Sequence, residues 1–219
     1  MILNSSVAHK FMKARHMSTA RHLLFFSLLV FCAGCSKQQP GIRTLSESSV
    51  IVAFGDSLTF GFGAGKEESY PVLLSKMLKC RVINAGVSGE VTSSGLRRLP
   101  AVLKKARPDL VILCHGGNDM LRKQSQDATI ENLSAMISLC QNAGSDVILL
   151  GVPRPALILR SAPFYRELAT KHNIPLESDS ISRILSDSSL KSDQIHPNAR
   201  GYKQLAEALA ALIRKSQKK

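Results

Sequence analysis

Four short groups of residues hold most of the reactive chemistry in this 219-residue chain. Gly55-Asp56-Ser57-Leu58-Thr59 sets a hydroxyl in a small-residue turn. Asn84-Ala85-Gly86 and Gly116-Gly117-Asn118-Asp119 offer backbone and amide donors, and Asp193-Gln194-Ile195-His196 sets a carboxylate three residues before an imidazole. Acyl-ester cleavage needs such a set: a hydroxyl nucleophile, a base, an acid that orients the base, and donors for the oxyanion that develops. The Asp193–His196 spacing places both on one short loop, so the pair needs no distant partner. Of the six histidines, His9, His16 and His22 lie in the first 34 residues, and His172 falls at a polar helix end where solvent is its expected partner. His115, directly before Gly116, is the rival base, although a pocket-lining or satisfied histidine is its more ordinary role. Asp56 and Asp119 read as braces for their turns, Gly86 serves a tight turn whether or not it donates, and Pro197-Asn198 opens the last helix.

These groups have to be positioned by regular elements, and the apolar pattern supplies them. Continuous apolar, β-branched runs mark strands at Val50–Gly55, Arg81–Gly86, Asp109–Cys114 and Asp146–Gly151, with a weaker one at Ile174–Glu177. Such runs suit strands buried on both faces. Amphipathic stretches at Tyr70–Lys79, Ser93–Ala106, Thr129–Asn142, Pro163–His172 and Ala199–Lys215 alternate with them. In the last, Leu205, Leu209, Leu212 and Ile213 form one stripe. This alternation predicts an α/β fold, a doubly wound parallel sheet of about five strands between helix layers, with ligands at the carboxyl ends of the strands.

From about Val50 to Leu212 the chain resembles the SGNH (GDSL) hydrolase family. The family's blocks occur in order as GDSLTFGFGA (Gly55–Ala64), NAGVSGE (Asn84–Glu90), GGND (Gly116–Asp119) and DQIHPN (Asp193–Asn198), with YPVLL (Tyr70–Leu74) like its first helix. It is most similar to the arylesterase, thioesterase I and lysophospholipase branch. The resemblance implies a three-layer α/β/α, flavodoxin-like fold and a serine esterase acting on carboxylic esters or thioesters without a metal or other cofactor. Carried over, Ser57 is the nucleophile, His196 the base and Asp193 its orienting acid. The N–H groups of Ser57 and Gly86 and the amide of Asn118 form the oxyanion hole. His115 departs from the family, which has an apolar or small residue there. Small acyl esters or lysophospholipids are the expected substrates. A polysaccharide or cell-wall O-acetylesterase is the alternative within the family, and a catalytically silent lipid- or sugar-binding lipoprotein is the alternative outside it.

Ahead of these blocks, Arg21-His22 precedes a nine-residue apolar run, Leu23–Phe31, too short for a spanning helix of about 20 residues. The following CAGCSK resembles a bacterial lipoprotein signal with Cys35 as the lipidated residue, though Cys32 stands where an aliphatic residue is usual. That implies a signal peptide over 1–34, a lipid-anchor tether over 35–48, a hydrolase domain over 49–219, and a location in the cell envelope, attached to membrane by the lipid. Met17 is a second possible start. Cys80, Cys114 and Cys140 lie in the body with no C-x-x-C spacing, which argues against a disulfide framework or a zinc site. The net charge is +13; beyond residue 34 the chain holds 25 basic and 16 acidic residues, a net +9. With 5% aromatic residues and no Trp, that charge suits an anionic membrane surface better than nucleic acid.

Overall fold

A computed structural model describes residues 40–218. Five parallel strands, β1 (Val50–Gly55), β2 (Arg81–Gly86), β3 (Leu110–Cys114), β4 (Asp146–Leu150) and β5 (Leu176–Glu177), form one sheet in the order β2-β1-β3-β4-β5. β3 is buried at every position, and β1 and β4 at all but the first. Each buried Val, Leu or Ile there contributes roughly 1.5–3 kcal/mol of hydrophobic stabilisation. β2 is different. As an edge strand it stays half-open, so its residues are not enclosed on both faces as their pattern suggests.

Among the described residues, eight α-helices connect and cover the sheet: α1 (Ser57–Phe60), α2 (Tyr70–Leu78), α3 (Thr92–Ala106), α4 (Gly117–Leu121), α5 (Gln126–Asn142), α6 (Pro163–His172), α7 (Ser180–Ser186) and α8 (Ala199–Ser216). α2 packs on α8, and α7 joins them there; α3 packs on α5 and α5 on α6. The chain leaves β1 toward β2 on one side, then returns past β1 to β3, β4 and β5 on the other. The carboxyl ends of β1 and β3 therefore flank the point where strand order reverses, the usual crevice for a ligand in such sheets.

Several boundaries differ from the sequence expectation for local reasons. Asp109 stays outside β3, and its carboxylate accepts the Val50 N–H at 2.9 Å. α5 begins three residues early because Ser125 caps it, its hydroxyl accepting the Ala128 N–H at 3.3 Å. α7 was hidden by its serines, yet Ile181, Ile184 and Leu185 share one buried face.

The described part of the stretch expected as a lipid-anchor tether packs on the body from Ile42 on. Ile42 is buried, its N–H donates to Ser216 O and its carbonyl accepts the Lys218 N–H, both at 2.9 Å. Arg43 pairs with Asp146 at 2.9 Å and with Asp109 at 3.6 Å. The segment is a strap across the edge where β3 and β4 begin. Cys35 and the expected signal peptide lie outside the described residues.

Candidate active site

The turn after β1 is built to present Ser57. Asp56 caps α1, its Oδ1 accepting the Leu58 N–H at 3.0 Å, and Ser57 is the first residue of the helix. At that position its own N–H has no intrahelical acceptor. A side chain on Gly55 would collide with the Thr59 side chain and the Cys114 carbonyl, so only glycine lets β1 turn this tightly beside β3. Burial pushes the Asp56 carboxyl up, against the lowering influence of His115 and of the Leu58 N–H.

Opposite Ser57 stands the loop between Lys191 and Pro197, closed by a bridge between those two residues and by the Ser192 N–H to His196 O bond at 2.9 Å. Asp193 Oδ1 accepts the N–H groups of Ile195 and His196, both at 2.8 Å, while Oδ2 meets His196 Nδ1 at 2.8 Å. Burial raises the Asp193 carboxyl, but the bonds from His196 and Ile195 outweigh it and hold it below the usual carboxylate range. His196 Nε2 then reaches Ser57 Oγ at 3.0 Å. The Phe62 ring leans on the imidazole with centroids 4.5 Å apart. Asn198 caps α8 directly behind, its Oδ1 accepting the Gly201 N–H at 3.1 Å, which anchors the loop to the longest helix.

Asn118, in α4 after β3, completes the group. Its Nδ2 donates to Asp56 Oδ2 at 3.2 Å and to Glu90 O at 3.1 Å, which fixes the amide at the wall of a cavity of about 770 Å³ shared with Ser57, His196 and Gly89. Arranged this way, the residues can lower the cost of removing the serine proton and offer donors beside the oxygen that attacks. Residues 53–204, which include these groups, match the model of the GDSL-like lipase/acylhydrolase family. The chain belongs to this family.

This GDSL hydrolase is 29% identical over 194 residues to an arylesterase of Vibrio mimicus, an alignment covering 84% of this chain and 93% of the relative. It is also 29% identical over 195 residues to the thioesterase 1/protease 1/lysophospholipase L1 of Escherichia coli K12, covering 85% and 88%. Among solved structures, TesA superposes with a TM-score of 0.68 at 28% identity, covering 76% of this chain and 98% of that one. The esterase AlinE4 gives 0.61 at 34% identity, covering 80% and 100%. The names of the family, the arylesterase, the lysophospholipase and AlinE4 are those of ester hydrolases, and the five-stranded parallel sheet with its helices matches the fold of TesA and AlinE4.

One residue carried over from the family pattern is misplaced in this GDSL hydrolase. Gly86 is the last residue of β2, its N–H is taken by Asn84 Oδ1 at 2.9 Å, and a side chain there would strike the Phe60 backbone. It does not line the cavity. Gly89 does, with φ +75°, and among the described residues its N–H has no intramolecular acceptor. The signal was present in the block NAGVSGE, which holds two glycines three residues apart; only the second follows the strand.

His115 is brought near the site without entering it. It is fully buried, with Nε2 3.1 Å from Glu90 Oε2 but out of line for a hydrogen bond. Arg98 clasps the Glu90 carboxylate at 2.6–2.9 Å and donates to the Gly55 and Ala85 carbonyls at 3.2 and 2.9 Å, tying together the ends of β1 and β2. Burial alone would raise the Glu90 carboxyl; His115 and Arg98 together hold it at about 2. Asp119 braces α3, its carboxylate accepting the N–H and hydroxyl of Thr92. His172, expected in solvent, is half-buried instead, with Nε2 2.8 Å from Ser134 Oγ.

Proposed function

We propose that Ser57, His196 and Asp193 are the catalytic triad of a serine esterase that cleaves small acyl esters, thioesters or lysophospholipids. The observation that carries this reading is the unbroken relay from Asp193 through His196 to Ser57, with contacts of 2.8 and 3.0 Å at the strand-order reversal. His196 takes the Ser57 proton as Oγ attacks the carbonyl carbon. The tetrahedral oxyanion is met by the N–H groups of Ser57 and Gly89 and by the Asn118 amide, which shares or gives up one of its bonds to Asp56 Oδ2 and Glu90 O to reach it. The protonated His196 then gives its proton to the leaving oxygen or sulfur as the bond to carbon breaks, leaving an acyl-serine. Water, deprotonated by the same imidazole, attacks the acyl carbon, and the imidazolium returns that proton to Ser57 Oγ as the bond to it breaks and the acid leaves. Asp193 keeps the tautomer and supports the imidazolium throughout. Lipidation at Cys35, an envelope location and a single hydrolase domain over 49–219 belong to the same proposal. A fluorophosphonate probe should label the protein once per chain, and Ser57→Ala should abolish the label. A labelled Ser57→Ala variant would defeat the assignment.

A further inference from the structure

Among the described residues, every large hydrophobic side chain that stands exposed lies at one edge of the molecule. Phe60 and Phe62 follow β1, Val87 follows β2, Leu121 follows β3, Leu157 and Ile158 follow β4, and Ile195 stands beside His196. Four of the seven line the cavity; Phe60, Val87 and Ile158 do not, so a small bound ester cannot account for their exposure. Ile158 is 68% exposed, and Leu157 is more open still. A concentrated set of exposed apolar residues marks a surface that meets something apolar.

The charges on the same edge indicate what that is. The loops after β3 and β4 bear exposed Arg122, Lys123, Arg154 and Arg160, while Asp119 is buried against Thr92; the exposed acids beside them are Asp127, in the first turn of α5, and Asp179, after β5, which lines a groove with Arg160 and Glu177. The loop after β1 has Lys66 with Glu67 and Glu68, and the His196 loop has Lys191 with Asp193, which is engaged by the imidazole. We infer that the mouth of the cavity docks on the surface of an anionic lipid assembly, with the apolar side chains in the acyl region and the four cations of the β3 and β4 loops at the headgroups. This surface rests on the esterase reading, since it would deliver acyl esters straight into the site. The Ile42–Leu45 strap lies at the opposite edge of the sheet.

The absence of tryptophan makes a direct test possible. With vesicles containing phosphatidylglycerol, emission from Ile158→Trp should shift to the blue, while emission from Glu47→Trp, just before β1, should not. Raising the salt should weaken the response. The pair Val87→Glu and Ile158→Glu should raise the vesicle Kd by at least about tenfold, equivalent to about 1.4 kcal/mol, with hydrolysis of a soluble acetyl ester unchanged. A shift at position 47 without one at 158, an equal response on neutral phosphatidylcholine vesicles, or wild-type binding by the double glutamate variant would overturn the inference. Ser57→Ala should keep the vesicle response while losing hydrolysis. Retained hydrolysis there would defeat the esterase reading alone and leave the docking result standing.

Discussion

Ser57 and His196 touch at 3.0 Å, and in the proposed mechanism each depends on the other for the first proton transfer. Ser57→Ala and His196→Ala should therefore each remove nearly all turnover, and the double variant should be no worse than either. Asp193→Asn should cost on the order of 10⁴ in kcat, because the carboxylate that fixes the imidazole tautomer is lost while the loop keeps its shape. Asn118→Ala should lose roughly 10²–10³ in kcat yet still label slowly, since it withdraws an oxyanion donor and not the attack itself. His115→Ala separates the two histidines: a fully buried side chain is removed beside Glu90, so Tm should fall while kcat per titrated site changes little. Inactive His115→Ala alongside a folded, active His196→Ala would reverse the assignment. At this scale the convergence of Ser57, Asp193 and His196, in contact at 2.8 and 3.0 Å, was readable from residue type and spacing. The sequence was not readable where two glycines compete. Whether Gly86 or Gly89 presents its N–H depends on where β2 ends and on the Asn84 side chain, both of which are tertiary facts.

At the scale of elements, the Glu90–Arg98 pair makes a pH prediction. Glu90 is held at about 2, against an ordinary value of 4.5. A carboxyl lowered by folding contributes stability that is fully present above its unfolded value and fades as pH falls toward its folded one. Acid titration of Tm should thus be steeper for the wild type than for Glu90→Gln between about pH 4.5 and 2. Parallel titrations of the two proteins would refute the pairing. The strap gives a second prediction. Ile42→Ala removes a buried side chain far from Ser57, so it should cost about 2–5 kcal/mol of stability by denaturant titration and leave kcat intact. Both features escaped a reading by pattern, because a lone isoleucine in a polar stretch and an acid eight residues before an arginine carry no periodic signal. β1, β3 and β4 were legible for the opposite reason: an apolar run enclosed on both faces leaves few alternatives. The edge strand β2 and the two-residue β5 were harder to characterise because burial constrains them less.

At the scale of the whole molecule, acyl preference follows from how the cavity is assembled. Its volume of about 770 Å³ falls within the range typical of sites for drug-sized ligands. One wall comes from the loop after β4, where Val152, Pro153, Ala156, Leu157 and Leu159 present mainly carbon beside the triad. An acetyl group would leave most of that apolar wall in water, whereas each added methylene that the wall covers contributes about 0.8 kcal/mol. Part of that contribution is realised in the ground state as well as in the transition state, so it should appear more in KM than in kcat. On a series of p-nitrophenyl esters, kcat/KM should therefore rise from acetyl to medium chains, chiefly through a falling KM, and Leu159→Asp should flatten the rise without abolishing acetyl hydrolysis. A profile that collapses beyond acetyl would instead assign the site to O-acetyl groups on a carbohydrate, with the same triad and a different use of the β4 wall.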